Sequence, residues 1–250
     1  VTVLFFTRPK DRIKESVKIA EDMGFEAIGF QSVEIVHKDP AEIKREISLI
    51  SNGWADIVVF ASPTTVIECE RIVGHNMVNC FGKTELLSIG PGTAKELKRV
   101  GLDSKIPEDY SSAGLVEFLG DLLSRKRITI LRSDKGSDVL RKGFEKAGAT
   151  VTEVAVYGLT KAGSDVDKVI SKKIDAYAFT SAFSAKCFID AVNERIGEEK
   201  TIEMFRNSFV SAIGRPTADC LEKMGVKVDM IPENSTFIDL LTEIRSKIGV

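Results

Sequence analysis

Two halves of this chain spell out the same order of motifs, and that internal repeat limits the fold more than any other feature. Val3-Leu4-Phe5-Phe6 opens one copy and Ile128-Thr129-Ile130-Leu131 the other. Each is followed by a helical segment that ends at a glycine, in Met23-Gly24-Phe25-Glu26 and in Ala147-Gly148-Ala149-Thr150. Ala55-Asp56-Ile57-Val58-Val59-Phe60-Ala61-Ser62 is then matched by Ile174-Asp175-Ala176-Tyr177-Ala178-Phe179-Thr180-Ser181. Ser88-Ile89-Gly90-Pro91-Gly92-Thr93-Ala94 is echoed by Ala212-Ile213-Gly214-Arg215-Pro216-Thr217-Ala218. Both copies pass a glycine (Gly101, Gly225), reach Ile106-Pro107-Glu108 or Ile231-Pro232-Glu233, and finish in an amphipathic helix.

Short β-branched runs alternate with helical segments throughout, which argues for parallel sheets covered by helices on both faces. The runs Ile57–Phe60 and Ala176–Phe179 are apolar at every position, as in strands buried on both sides. The expected architecture is α/β, two similar doubly wound domains of about five strands each. A length of 250 residues suits two small domains better than one.

Composition narrows the function. A net charge of −2 supplies no general basic field, so neither nucleic acid nor a membrane surface is an expected partner. Val1–Phe6 reads as a strand rather than a leader, and no apolar run has the length of a membrane span. Four cysteines without a C-x-x-C pair indicate a reduced, cytoplasmic protein, and two histidines are too few for a histidine metal site. No metal and no cofactor is expected.

In open parallel sheets ligands bind beyond the carboxyl ends of the strands. The repeat sets small hydroxyl residues and glycines there, Ser62 and Thr64 about Pro63, Gly92 and Thr93, Thr180 and Ser181, and Thr217. Helix starts of this kind offer free amides to a carboxylate or phosphate. Each Ser or Thr taken singly is better explained as a helix cap than as a ligand contact. Gly90-x-Gly92 begins a dinucleotide fingerprint, but Lys95 stands where its third glycine belongs. Arg8, Arg132 and Arg215 follow expected strands, where a guanidinium can pair with a carboxylate; the alternative, a solvated loop side chain, weighs more for Arg132 than for Arg8. Tyr157 is either a strand residue with a half-buried ring or a phenol donating at the edge of a cleft.

Taken together, Phe6-Thr7-Arg8-Pro9, Phe60-Ala61-Ser62-Pro63, Ile89-Gly90-Pro91-Gly92-Thr93-Ala94, Ile130-Leu131-Arg132, Val154-Ala155-Val156-Tyr157, Phe179-Thr180-Ser181 and Ile213-Gly214-Arg215-Pro216-Thr217-Ala218 resemble the uroporphyrinogen-III synthase family over nearly the whole chain. The resemblance implies two flavodoxin-like domains joined by a two-stranded linker. One domain would take residues 1–32 plus 160–250 and the other residues 37–153, with linker strands near 33–36 and 154–159. A connection that narrow permits the domains to open and close over a cleft.

The implied reaction closes hydroxymethylbilane, a linear tetrapyrrole with eight carboxylates, into a ring with its last pyrrole inverted and water released. Tyr157 would donate to the departing hydroxyl. Thr7, Arg8, Ser62, Pro63, Thr64, Gly92, Thr93, Thr180, Ser181, Arg215 and Thr217 would hold the substrate, and the enzyme would act as a monomer. The rival readings are a two-domain protein that binds a small anion without chemistry, a nucleotide-dependent transferase, and a synthase relative that has lost activity.

Overall fold

The computed structural model describes residues 1–249. The chain forms β1 (Val3–Thr7), α1 (Lys10–Asp22), β2 (Glu26–Phe30), β3 (Val33–His37), α2 (Pro40–Ser51), β4 (Ile57–Phe60), α3 (Pro63–Val73), α4 (Met77–Phe81), β5 (Glu85–Ser88), α5 (Pro91–Arg99) and α6 (Ser112–Leu119). It continues through β6 (Arg127–Ser133), α7 (Val139–Lys146), β7 (Thr150–Lys161), α8 (Asp167–Ile170), β8 (Ala176–Phe179), α9 (Ala182–Ile196), α10 (Glu198–Arg206), β9 (Phe209–Ala212), α11 (Arg215–Lys223) and α12 (Phe237–Ile248). Two compact units result, Val1–Glu34 with Thr160–Val250, and Ile35–Leu159. The repeat is therefore not laid out as two consecutive halves. Each copy's opening strand and helix belong to the unit built mainly from the other copy.

The first unit carries a four-stranded sheet in the order β2-β1-β8-β9, every pair parallel. Strand β8 alternates alanine and aromatic residues, and the period of two sends them to opposite faces. Tyr177 and Phe179 join Phe5, Phe30, Phe188 and Phe205 in an aromatic core, where Phe5 and Phe188 lie 4.5 Å apart between ring centroids. Such pairs add about 1 kcal/mol beyond the area they bury. On the other face Ala176 and Ala178 are small enough for Phe237, Leu240, Leu241 and Ile244 of α12 to pack tightly.

The expected fifth strand of this unit is reduced to one bridge, Ser211 to Met230, and Leu87 to Lys105 is its counterpart in the second unit. The cause is local. Pro232 and Pro107 follow two residues later, and a proline has no amide to extend a ladder.

The second unit holds a five-stranded sheet, β3-β7-β6-β4-β5, in which β7, β6, β4 and β5 pair in parallel. The segments expected as a separate linker are members of this sheet, β3 at its edge and the far end of β7. Val58 and Phe60 pack toward one core with Ile43, Ile47 and Phe81, while Ile57 and Val59 pack toward another with Leu115, Leu140 and Phe144. Burial on both faces is why the run Ile57–Phe60 contains no polar residue. Among the described residues no helix is long and apolar enough to cross a membrane.

Candidate functional site

Because β4, β5, β6 and β7 are parallel, their carboxyl ends share one edge of the second unit's sheet. Ser62 follows β4 and starts α3, its Oγ accepting the Thr65 amide at 3.2 Å, with Pro63 as the first helical residue. Gly90 starts α5, and Gly92 comes so close to α3 that a Cβ there would stand 3.5 Å from the Pro63 ring. The beginnings of α3 and α5 thus lie side by side.

Tyr157 reaches this edge through an irregularity in β7. Arg132 of β6 pairs with Ala155, but Ser133 pairs with Tyr157, so Val156 is an extra residue. In a regular strand Tyr157 would face away from Val154 and Val156. The bulge instead puts all three in the same core. Tyr157 is 6% exposed, so its ring is buried rather than half-buried, and its Oη lies 3.1 Å from Ser62 Oγ. Burial pushes the phenol above its ordinary pKa, opposed by contacts from Ser62, Ser133, Thr64 and Thr65. The group is a neutral hydrogen-bond donor at neutral pH.

Beside the phenol lies a cavity of about 150 Å³, lined by Ser62, Ile89, Ser112, Arg132, Ser133, Gly136, Ser137, Leu140 and Tyr157 among others. Arg132 is not a solvated loop arginine. It is 7% exposed, and its Nη1 donates to Glu153 at 2.5 Å and to the Ser137 carbonyl at 2.8 Å. Sequence reasoning weighed Arg132 without placing it in the site, and missed Glu153 and the serines at 133 and 137. An arginine ending an apolar strand, with a glutamate inside the next strand, was the available signal.

The remaining expected residues fall into three situations. Thr93 and Thr217 are 4% and 3% exposed, and their amides close the first helical turn onto Gly90 and Gly214 at 3.1 Å, so those amides are not free donors. In the first unit Thr7 is fully buried with an unpartnered hydroxyl, while its carbonyl accepts Thr180 Oγ1 at 2.5 Å; the Thr7 hydroxyl is closed to any ligand in this conformation. Ser181 caps α9 through the Ser184 amide at 3.1 Å and is exposed.

The two remaining arginines differ sharply. Arg215 is exposed and paired with Asp219 and Glu222 of its own helix, which neutralise it. Arg8 lies over the Phe237 ring at 4.4 Å and donates from Nε to Ser16 at 3.1 Å. Burial, helped by the nearby Arg12 charge, lowers its pKa to about 10. Among the described residues no carboxylate stands within ion-pair distance of it. Arg8 is a partly buried cation without an ion pair, attracted only from farther off by Glu15 and Asp11.

Comparison with known proteins agrees with this architecture. Residues 14–242 match the family model described as uroporphyrinogen-III synthase HemD. A protein of Methanothermobacter thermautotrophicus, provisionally named uroporphyrinogen-III synthase, is 29% identical over 255 residues, covering 97% of each chain. The uroporphyrinogen-III synthase of Chlorobaculum parvum is 25% identical, covering 91% of each. In fold, the chain is similar to a mutant uroporphyrinogen III synthase from Thermus thermophilus, with a TM-score of 0.67, 19% identity and 99% of each chain covered. A structure from Helicobacter pylori gives a TM-score of 0.60 at 14% identity, with 99% of this chain and 100% of that one covered. With nine-tenths of its length inside the family model, this chain belongs to the uroporphyrinogen-III synthase family.

Proposed function

We propose that this protein cyclises hydroxymethylbilane to uroporphyrinogen III, a lyase reaction that releases one water and reverses the last pyrrole. The observation that carries the reading is the buried, neutral Tyr157 phenol beside the strand-end cavity, in a chain of this family. In the reaction the first pyrrole's hydroxymethyl group loses its hydroxyl and leaves an electrophilic azafulvene. Attack by the substituted carbon of the last pyrrole, followed by fragmentation and reclosure, turns that ring over.

Tyr157 donates a hydrogen bond to the departing hydroxyl, which leaves as water once a proton has joined it. A phenol with a raised pKa remains protonated and suits donation better than complete proton transfer. Carboxylates suit the Gly92 amide, Ser62 and Thr64 at the strand ends of the second unit, and Arg8, Thr180 and Ser181 at those of the first unit taken by itself. Since the linear substrate also closes unaided to the uninverted isomer, the protein's main contribution is to hold the reacting ends in one geometry.

Turnover is the test. Protein added to freshly made hydroxymethylbilane is expected to shorten its lifetime well below that in buffer, and an unchanged lifetime removes this reading.

A further inference from the structure

The phenol is not held by Ser62 alone. We infer that Glu153 is a positioning residue for Tyr157, acting through Arg132 and the turn at residues 133–138. The inference rests on the reading of the Tyr157 site given above.

Glu153 sits on β7 four residues before Tyr157, with one carboxylate oxygen 2.5 Å from Arg132 Nη1 and the other 3.4 Å from Nε of Arg141 on α7. Arg132 is nearly buried, and a buried charge persists only when paired. Once paired, its guanidinium holds the following turn in two ways. It donates to the Ser137 carbonyl at 2.8 Å, and it lies flat against Gly136, where any side chain would overlap it. That contact accounts for a glycine at 136 without any need for left-handed backbone, since Gly136 is not among the positive-φ glycines.

The held turn bears on the phenol directly. It contributes Ser133 and Ser137 to the cavity wall, and the Ser133 side chain is one of the hydroxyls around Tyr157 Oη. The shift in register falls between Arg132 and Ser133, where the clamp is anchored. Without the Glu153 charge, Arg132 has reason to turn toward water, and the turn loses its carbonyl contact and its packing together. The Tyr157 ring, packed in the core, stays in place while its hydroxyl loses its fixed surroundings.

Glu153→Gln, alone and combined with Tyr157→Phe, tests this. The clamp predicts that Glu153→Gln lowers kcat about tenfold with KM within about twofold, since small displacements of a reacting group cost rate before they cost binding. In the Tyr157→Phe background the same change costs nothing further, because the residue it positions is gone. Wild-type kcat in Glu153→Gln, a loss confined to KM, or a loss that multiplies with that of Tyr157→Phe overturns the inference.

If the unaltered protein does not cyclise the bilane at all, the functional reading fails, and the clamp is judged on the phenol itself. Its ionisation, read as the ultraviolet difference between each protein and its Tyr157→Phe counterpart, then shifts further above that of a free tyrosine in Glu153→Gln, because the ring stays buried while the Ser133 contact that lowers it is lost. A titration identical to that of the unaltered protein overturns the clamp independently of function.

Discussion

Tyr157 Oη and Ser62 Oγ lie 3.1 Å apart, joining a hydroxyl on β7 to the residue that begins α3. That contact ties the candidate donor to the residue whose Oγ caps the Thr65 amide at the start of α3. It depends on a single extra residue, Val156, which turns Tyr157 into the core and toward the strand ends. Loss of the phenol oxygen alone is therefore a clean probe. Tyr157→Phe is expected to lower bilane turnover about a hundredfold while the unfolding midpoint stays near that of the parent.

The same group makes a prediction about alkaline pH. Its pKa is raised in the fold, so its contribution to stability is complete below the free phenol's value of about 10 and is lost as pH climbs through the folded value. Tyr177, also pushed up by burial, acts in the same direction. Denaturant melts above pH 10 are expected to show falling stability, with a shallower fall in Tyr157→Phe.

Asp56 governs the acid side. Hydrogen bonds from the Arg127 side chain and amide hold its carboxyl at about 2. A depressed carboxylate stabilises the fold above its unfolded pKa of about 3.8, and that stabilisation is lost as pH falls through about 2. Asp56→Asn is expected to lower stability at neutral pH and to flatten the stability profile between about pH 4 and 2. Circular dichroism melts across that range measure both effects.

Arg8 should show a conflict between stability and binding. Among the described residues it makes no ion pair, and burial with the Arg12 charge depresses its pKa, only partly offset by Glu15 and Asp11. Exchanging an unpaired buried charge for an apolar chain of similar length is commonly stabilising. Arg8→Met is expected to raise the Tm of the free protein and to raise KM for the bilane at least tenfold. A lower Tm would show that the stacking over Phe237 outweighs the cost of the charge.

Much of this fold is legible in the sequence because it is local. Strands β4 and β8 announce themselves as unbroken apolar runs, and Ser62 and Ser181 as caps one residue ahead of their helices. What escaped reading is non-local. Arg132 looks solvated until Glu153, 21 residues away, is brought beside it by the pairing of β6 and β7. The face that Tyr157 presents is set by a register shift that no alternation pattern signals. Thr7, Thr93 and Thr217 occupy strand ends and helix starts as the motifs suggest, yet they turn inward, because a small hydroxyl fills a tight first turn as readily as it meets a ligand.

The isomer composition of the macrocycle formed from hydroxymethylbilane tests the central claim most directly. With catalytic amounts of this protein, uroporphyrinogen III is expected to dominate from the earliest time points, and Tyr157→Phe to restore much of the unaided product. Only the uninverted type I ring, at the rate seen in buffer, would contradict the account.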